Sequence, residues 1–76
     1  MDVVSLSKLK RGESAVIVEL EKGELGNKLM EMGLLIGEII LVTRIAPLGD
    51  PMSIKVGNYL LSLRKDEAVA VKVKRV

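Results

Sequence analysis

Residues 29–37 read Leu-Met-Glu-Met-Gly-Leu-Leu-Ile-Gly, and within them a helical pattern ends and strand patterns begin. Leu25, Leu29 and Met32 recur at the i, i+4 and i+7 spacing of one helix face. The apolar face is short, so it predicts a helix of about two to three turns. Gly33 comes directly after this face, where a helix commonly ends.

The residues after the helix predict two tight turns of the backbone. Gly33 fits the left-handed C′ position of a Schellman motif, in which Leu34 folds back onto Leu29. Ile36 and Gly37 fit the centre of a type II turn, with Gly37 at the position that needs positive φ. A strand is then expected to begin directly after Gly37.

Composition restricts the chemistry that is open to the chain. The 76 residues suit one small domain, residues 1–76, that buries about 60% of its unfolded surface. Neither Cys nor His occurs, which removes thiolate and imidazole metal ligands and the usual nucleophile and base pairs, so no enzyme is expected. The first residues contain no long apolar run, so we expect neither a signal peptide nor a membrane span, and predict a cytoplasmic protein.

Short alternating runs separated by turn residues predict five strands. The lead-in before them suits an irregular or 3₁₀ segment capped by Ser5 or Ser7, and residues 64–68 suit a single helical turn. Gly12 and Gly57 are expected in tight turns, the second in a hairpin loop of the primed type. The predicted strands cover residues 14–20, 38–45, 52–56, 59–63 and 69 nearly to 76.

These elements predict a mainly β fold, a small five-stranded SH3-like barrel with one short helix inserted after strand one and a single helical turn before the last strand. The only aromatic residue is Tyr59, so the core must consist of aliphatic side chains and methionine. Binding of proline-rich peptides, as ordinary SH3 domains do it, is not expected, because that groove is lined with aromatics.

The sequence resembles the FeoA family, small cytoplasmic accessory proteins of the bacterial ferrous iron transport system. The order and spacing of several short motifs along nearly the whole chain carry the resemblance. They are Leu6-Ser7-Lys8-Leu9 with Gly12, Met32-Gly33-Leu34 with Gly37, Ala46-Pro47-Leu48-Gly49-Asp50-Pro51, and Leu61-Ser62-Leu63-Arg64-Lys65 with Glu67-Ala68.

The resemblance implies a non-catalytic adaptor that regulates ferrous iron uptake by docking on a FeoB-type membrane protein, a ferrous iron permease with a GTPase domain. Contact with the membrane is expected only through that partner. A related SH3-like module stands at the end of iron-dependent repressors, so transition-metal binding is the alternative function. No cofactor is expected, and a weak or indirect association with Fe²⁺ is implied through the family role.

Two segments are candidates for a partner-binding surface. Consecutive apolar residues cannot all be buried by so small a domain, which leaves open whether those after the helix plug the barrel or stay exposed. Leu48 either contacts a partner from the loop tip or packs under the loop, and Asp50 either bonds its own backbone or contacts the partner. The candidates are Met32, Leu34, Leu35 and Ile36 in the first segment and Pro47, Leu48, Gly49 and Asp50 in the second.

Metal binding would depend on carboxylates alone. The candidates are Glu21 and Glu24 near the helix and Asp66 and Glu67 at the late turn. Because Fe²⁺ sites usually include an imidazole or thiolate, a solvated acidic surface is the simpler interpretation.

The charge balance does not indicate a nucleic-acid partner. The formal net charge is +2, with twelve basic residues largely matched by ten acidic ones, and no nucleic-acid partner is expected because stacking aromatics are missing. Unpaired sheet edges and exposed leucines predict weak homo-oligomerisation.

Overall fold

One antiparallel sheet of six strands forms the framework of the chain in a computed structural model that describes residues 2–76. The strands are β1 (Val3–Ser5), β2 (Ser14–Leu20), β3 (Ile39–Ile45), β4 (Met52–Val56), β5 (Tyr59–Leu63) and β6 (Val71–Arg75). Helix α1 (Glu24–Glu31) connects β2 to β3, helix α2 (Lys65–Val69) connects β5 to β6, and a 3₁₀ turn (Leu6–Lys8) follows β1. The strand order is β1-β6-β2-β3-β4-β5.

The prediction of five strands was wrong by one, because the structure adds β1 at the sheet edge. Val3 lies opposite Lys74 and Ser5 opposite Lys72 of β6. Three residues are too few to show an alternating pattern, so sequence alone did not reveal this strand. The predicted 3₁₀ segment is confirmed, since the backbone N–H of Ser7 donates to Ser5 Oγ at 3.2 Å.

Helix α2 and the last strand differ slightly from the prediction. The single helical turn is confirmed, but it extends to Val69, which is exposed. The last strand therefore begins at Val71 and not at Val69. Ala70 ends the helix and its side chain is buried.

Irregular pairing curls the sheet into a partly open barrel. The register shifts between Ile17 and Glu19 where β2 pairs with β6, and between Val42 and Arg44 where β3 pairs with β4. Such bulges increase the local twist and bend a strand. The curled sheet leaves β1 and β5 as its two edges and directs one face inward.

The inward face and the two helices enclose a core of aliphatic side chains and methionine, as the composition predicted. The apolar stripe of α1 contributes Leu29, which is fully buried, while Leu25 and Met32 pack partly against the core. The largest fully buried side chains are Leu6, Ile17, Leu29, Leu34, Ile40, Val42, Ile54, Val56, Leu63, Val71 and Val73.

The four glycines predicted in turns all have positive φ. The values are +90° at Gly12, +100° at Gly33, +96° at Gly37 and +56° at Gly57. Asn58 has negative φ, so the hairpin between β4 and β5 has a type II′ turn, which is one of the primed types. These turns position the segments that flank the candidate site.

Candidate functional site

The end of α1 is a Schellman motif, as predicted. The backbone N–H of Leu34 donates to the carbonyl oxygen of Leu29 at 3.1 Å, and that of Gly33 donates to Met30 at 2.9 Å. This geometry turns Leu34 into the core, where its side chain has no solvent exposure. The prediction of Leu34 as a partner-binding residue is therefore wrong, because the residue is a structural anchor of the helix end.

The next two residues lie at the surface. Leu35 is 48% exposed and Ile36 is 66% exposed. The N–H of Glu38 donates to the carbonyl of Leu35 at 3.1 Å, which closes the predicted turn. The turn is attached to β2, since Gly37 N–H donates to the carbonyl of Ile17 at 2.8 Å. The backbone thus fixes Leu35 and Ile36 as an exposed apolar surface.

At the end of α1, Met32 contacts its neighbours through its backbone carbonyl, while its side chain packs partly against the core. Its side chain is partly buried against the core, and its carbonyl oxygen accepts a hydrogen bond from the Tyr59 hydroxyl at 3.3 Å. A Cβ atom at Gly33 would collide with the same tyrosine hydroxyl. The tyrosine therefore covers the helix end, a contact that no local sequence pattern predicts.

The loop between β3 and β4 presents the most exposed large hydrophobic side chain among residues 2–76. Leu48 is 96% exposed, so it does not fold under the loop. Gly49 N–H donates to the carbonyl of Ala46 at 2.7 Å, and Ala46 N–H donates to that of Pro51 at 3.0 Å. Pro47 and Gly49 are exposed beside it, so the loop is a closed turn with an apolar tip.

Asp50 forms a contact that neither of its two predicted roles included. Its Oδ1 accepts a hydrogen bond from the backbone N–H of Lys65 at 3.1 Å, fifteen residues further along the chain. Lys65 is the first residue of α2, so its N–H has no partner within the helix. Asp50 connects the loop to α2.

The two candidate surfaces do not lie side by side. Leu35 and Ile36 precede the first residue of β3, whereas Leu48 follows the last one. Seven residues in a strand span about 20 Å. A partner that contacts both surfaces must therefore extend along the length of β3.

The candidate carboxylates for a metal are not gathered into one site. Glu67 is buried, accepting from Arg64 N–H at 2.9 Å through Oε1 and from Lys28 Nζ at 3.0 Å through Oε2. The backbone hydrogen bond from Arg64, followed by the bond from Lys28, lowers the pKa of Glu67. Asp66 is exposed beside it. Glu67 is therefore already satisfied by protein donors.

The other two acidic candidates, Glu21 and Glu24, are exposed at the start of α1. Within residues 2–76, no group of three or more Asp or Glu side chains could hold a metal ion together. No helix in that range is both long and apolar enough to cross a bilayer.

Comparison with protein families identifies one matching domain. The model of the FeoA domain matches residues 4–75. A curated relative is the Fe(2+) transport protein A/Fe(2+) transporter FeoB fusion protein of Porphyromonas gingivalis, 38% identical over 72 residues. The match covers 93% of this chain and 8% of the relative, so the chain corresponds to a small part of that protein.

Solved structures agree with this match. Iron(II) transport protein A of Clostridium thermocellum is 46% identical and has a TM-score of 0.89, with 96% of this chain and 46% of that chain covered. FeoA of Stenotrophomonas maltophilia, described as an SH3 domain protein and solved with zinc, is 29% identical and has a TM-score of 0.81. The match covers 93% of this chain and 89% of that chain. The predicted SH3-like fold is therefore confirmed.

The fold also occurs in a different kind of protein. A manganese-dependent transcriptional repressor has a TM-score of 0.90 at 11% identity, with all of this chain and 38% of that chain covered. At this identity the likeness concerns the fold alone.

Proposed function

This chain belongs to the FeoA domain family, and from that membership we propose that it is a non-catalytic adaptor that regulates ferrous iron uptake by docking on a FeoB-type permease. The observation that carries the proposal is the fusion relative, in which a segment similar to nearly the whole chain is joined to a FeoB transporter. Covalent fusion holds two modules at high effective concentration, which favours modules that work in contact.

The surface of the chain suits an adaptor. Leu48 and Ile36 expose large aliphatic side chains on backbone turns that are closed by hydrogen bonds. Preorganised turns lose little conformational entropy on binding, so apolar contacts at their tips contribute efficiently to affinity. Both surfaces are available to a partner that extends along β3, and docking is proposed to occur on the cytoplasmic side of the membrane.

Co-purification tests the docking directly. The tagged chain is used to capture the detergent-solubilised FeoB-type permease of the same organism. We expect the wild-type chain to retain the permease and Leu48→Asp and Leu35→Asp to lose most of it. Val3→Asp is the control, because Val3 is similarly exposed but lies opposite Lys74 on the far edge of the sheet. Equal capture by all four chains would contradict the proposed surfaces.

Metal binding is the second candidate function, favoured by the zinc complex of the Stenotrophomonas maltophilia protein. In this chain the ligands would be carboxylates, since Cys and His are missing from the sequence. Anaerobic calorimetry with Fe²⁺ or Mn²⁺ tests it. Saturable heat that disappears in Glu21→Gln/Glu24→Gln would support metal binding, and a flat titration would contradict it.

Weak self-association is proposed through the edge strand β5. No charged residue occurs from Val56 to Leu63, and charges are the common protection of an exposed edge. Sedimentation at rising concentration tests the idea. A mass that increases with concentration and returns to the monomer value in Leu60→Lys, at a residue 65% exposed on β5, supports it, whereas a constant monomer mass contradicts it.

A further inference from the structure

An apolar cleft lies between α1, the segment that precedes it and the turn that follows it. The cleft has a volume of about 390 Å³ and opens to solvent. Met30 of α1 and Ile36 of the following turn contribute its large exposed apolar side chains, at 44% and 66% exposure. The other lining residues are Glu19, Leu20, Glu21, Lys22, Gly23, Gly26 and Asn27.

Gly26 allows α1 to pack closely against the segment that precedes it, beside the cleft. Gly26 is buried, and a Cβ atom there would collide with the backbone carbonyl of Glu21. The helix can therefore approach the preceding segment closely at Gly26, which lines the cleft together with Glu21, Met30 and Ile36. The result is a concave surface with an apolar interior of the kind that accepts a single partner side chain.

The rim of the cleft is acidic. Glu19 and Glu21 line it directly, and Glu24 and Glu31 lie one helical turn from Asn27, at i−3 and i+4. Lys22 is the only cation among the lining residues. Lys28 does not offset these charges, because its Nζ contacts Glu67 Oε2 at 3.0 Å on another side of the helix.

The charge of this region is opposite to that of the whole chain. Residues 19–38 contain five glutamates and two lysines, a net charge of −3, whereas the full sequence has a net charge of +2. None of the four rim carboxylates forms a side-chain hydrogen bond or an ion pair with the residues that the structure describes. They are free to meet an external cation.

We propose that this cleft binds a basic amphipathic segment of a partner protein, which inserts one apolar side chain between Met30 and Ile36 while its Lys or Arg residues face the acidic rim. Helices docked in grooves are held by such apolar anchors, and complementary charge selects and steers the partner. We assign this segment to the FeoB-type permease, a step that rests on the proposed function, whereas the binding chemistry of the cleft is independent of it.

A peptide titration followed by amide NMR tests the cleft chemistry. The probe is a synthetic amphipathic peptide of Leu and Lys, about 14 residues long, and its matched control replaces every Lys with Glu. We expect saturable shifts at Gly23, Asn27, Met30 and Ile36 with the Lys peptide only. Raising the salt from about 20 mM to about 300 mM should weaken binding roughly fivefold, because it shortens the screening length between charges.

Two sets of variants measure separately how much the apolar contact and the acidic rim contribute to peptide binding. Met30→Gln keeps helix propensity and should weaken binding about tenfold. Glu19→Gln/Glu21→Gln should remove most of the salt dependence. The controls Val3→Gln and Asp2→Asn change an exposed apolar and an exposed acidic residue elsewhere and should bind like wild type.

Three results would overturn the proposal: no saturable shift with the Lys peptide, shifts centred outside the cleft, or equal binding of the Glu peptide. Its failure is distinguishable from failure of the proposed function. If only the adaptor function fails, iron uptake will be the same with and without the chain, while the Lys peptide will still bind the cleft.

Discussion

Tyr59 and Gly33 occupy adjoining space at the end of α1, such that the tyrosine hydroxyl fills the position that a Cβ of residue 33 would need. The same hydroxyl donates to the carbonyl of Met32 at 3.3 Å. The hydrogen bond thereby connects the start of β5 to the end of the helix. The exposed residues Leu35 and Ile36 come directly after this connection in the sequence.

This relationship predicts a coupled effect of two substitutions. Gly33→Ala should destabilise the fold by about 1–2 kcal/mol from positive φ, with a further cost from the collision with Tyr59. In a Tyr59→Ala background the collision is gone and only the backbone cost should remain. Urea unfolding of the four chains measures the coupling free energy. Strictly additive effects would show that the two residues do not compete for space.

Leu34 and Leu35 form a matched pair for testing which leucine is structural. Leu34 has no solvent exposure, so Leu34→Ala should lower the free energy of unfolding by about 2–5 kcal/mol. Leu35 is 48% exposed, and Leu35→Ala should cost less than about 1 kcal/mol. Chemical unfolding of both variants measures the difference. Similar losses in the two would contradict the observed helix end.

Glu67 predicts a pH-dependent part of the stability. The hydrogen bonds from Arg64 N–H and Lys28 lower the pKa of Glu67 in the folded state. Its contribution is therefore fully present above the unfolded carboxyl pKa of about 4.3 and is lost as the pH falls through the lower folded value. Glu67→Gln should cost about 0.5–1.5 kcal/mol at neutral pH and almost nothing in strong acid.

Unfolding of Glu67→Gln at several pH values measures this effect. Asp66→Asn is the matched control, since it removes an exposed neighbouring carboxylate that forms no bond in the described chain and should change stability little at any pH. A cost for Glu67→Gln that does not change between neutral and acid pH would contradict the role of its charge.

Local chemistry explains what the sequence could predict. The Schellman motif at Gly33, the type II turn at Gly37 and the hairpin at Gly57 depend on a few consecutive residues, and all were predicted correctly. The strands with clear alternation were also predicted. Val3–Ser5 was missed because so short a run contains no period to detect.

Tertiary contacts explain what it could not predict. Leu34, Leu35 and Ile36 are similar in chemistry, and only the course of the backbone decides that the first is buried and the others are exposed. Asp50 contacts Lys65 and Lys28 contacts Glu67 across fifteen and thirty-nine residues, distances at which a single sequence carries no pairing signal. The cleft between Met30 and Ile36 likewise depends on how α1 packs.

Radiolabelled ferrous iron uptake tests the proposed adaptor function in cells of the source organism. The gene for this chain is deleted and then restored on a plasmid, as wild type or as a variant. We predict that the wild-type chain and Val3→Asp restore uptake, and that Leu48→Asp, although folded and equally abundant, restores little, because its exposed apolar tip no longer contacts the permease. Uptake that is unchanged by deleting the chain, or restored equally by Leu48→Asp, would contradict the adaptor function.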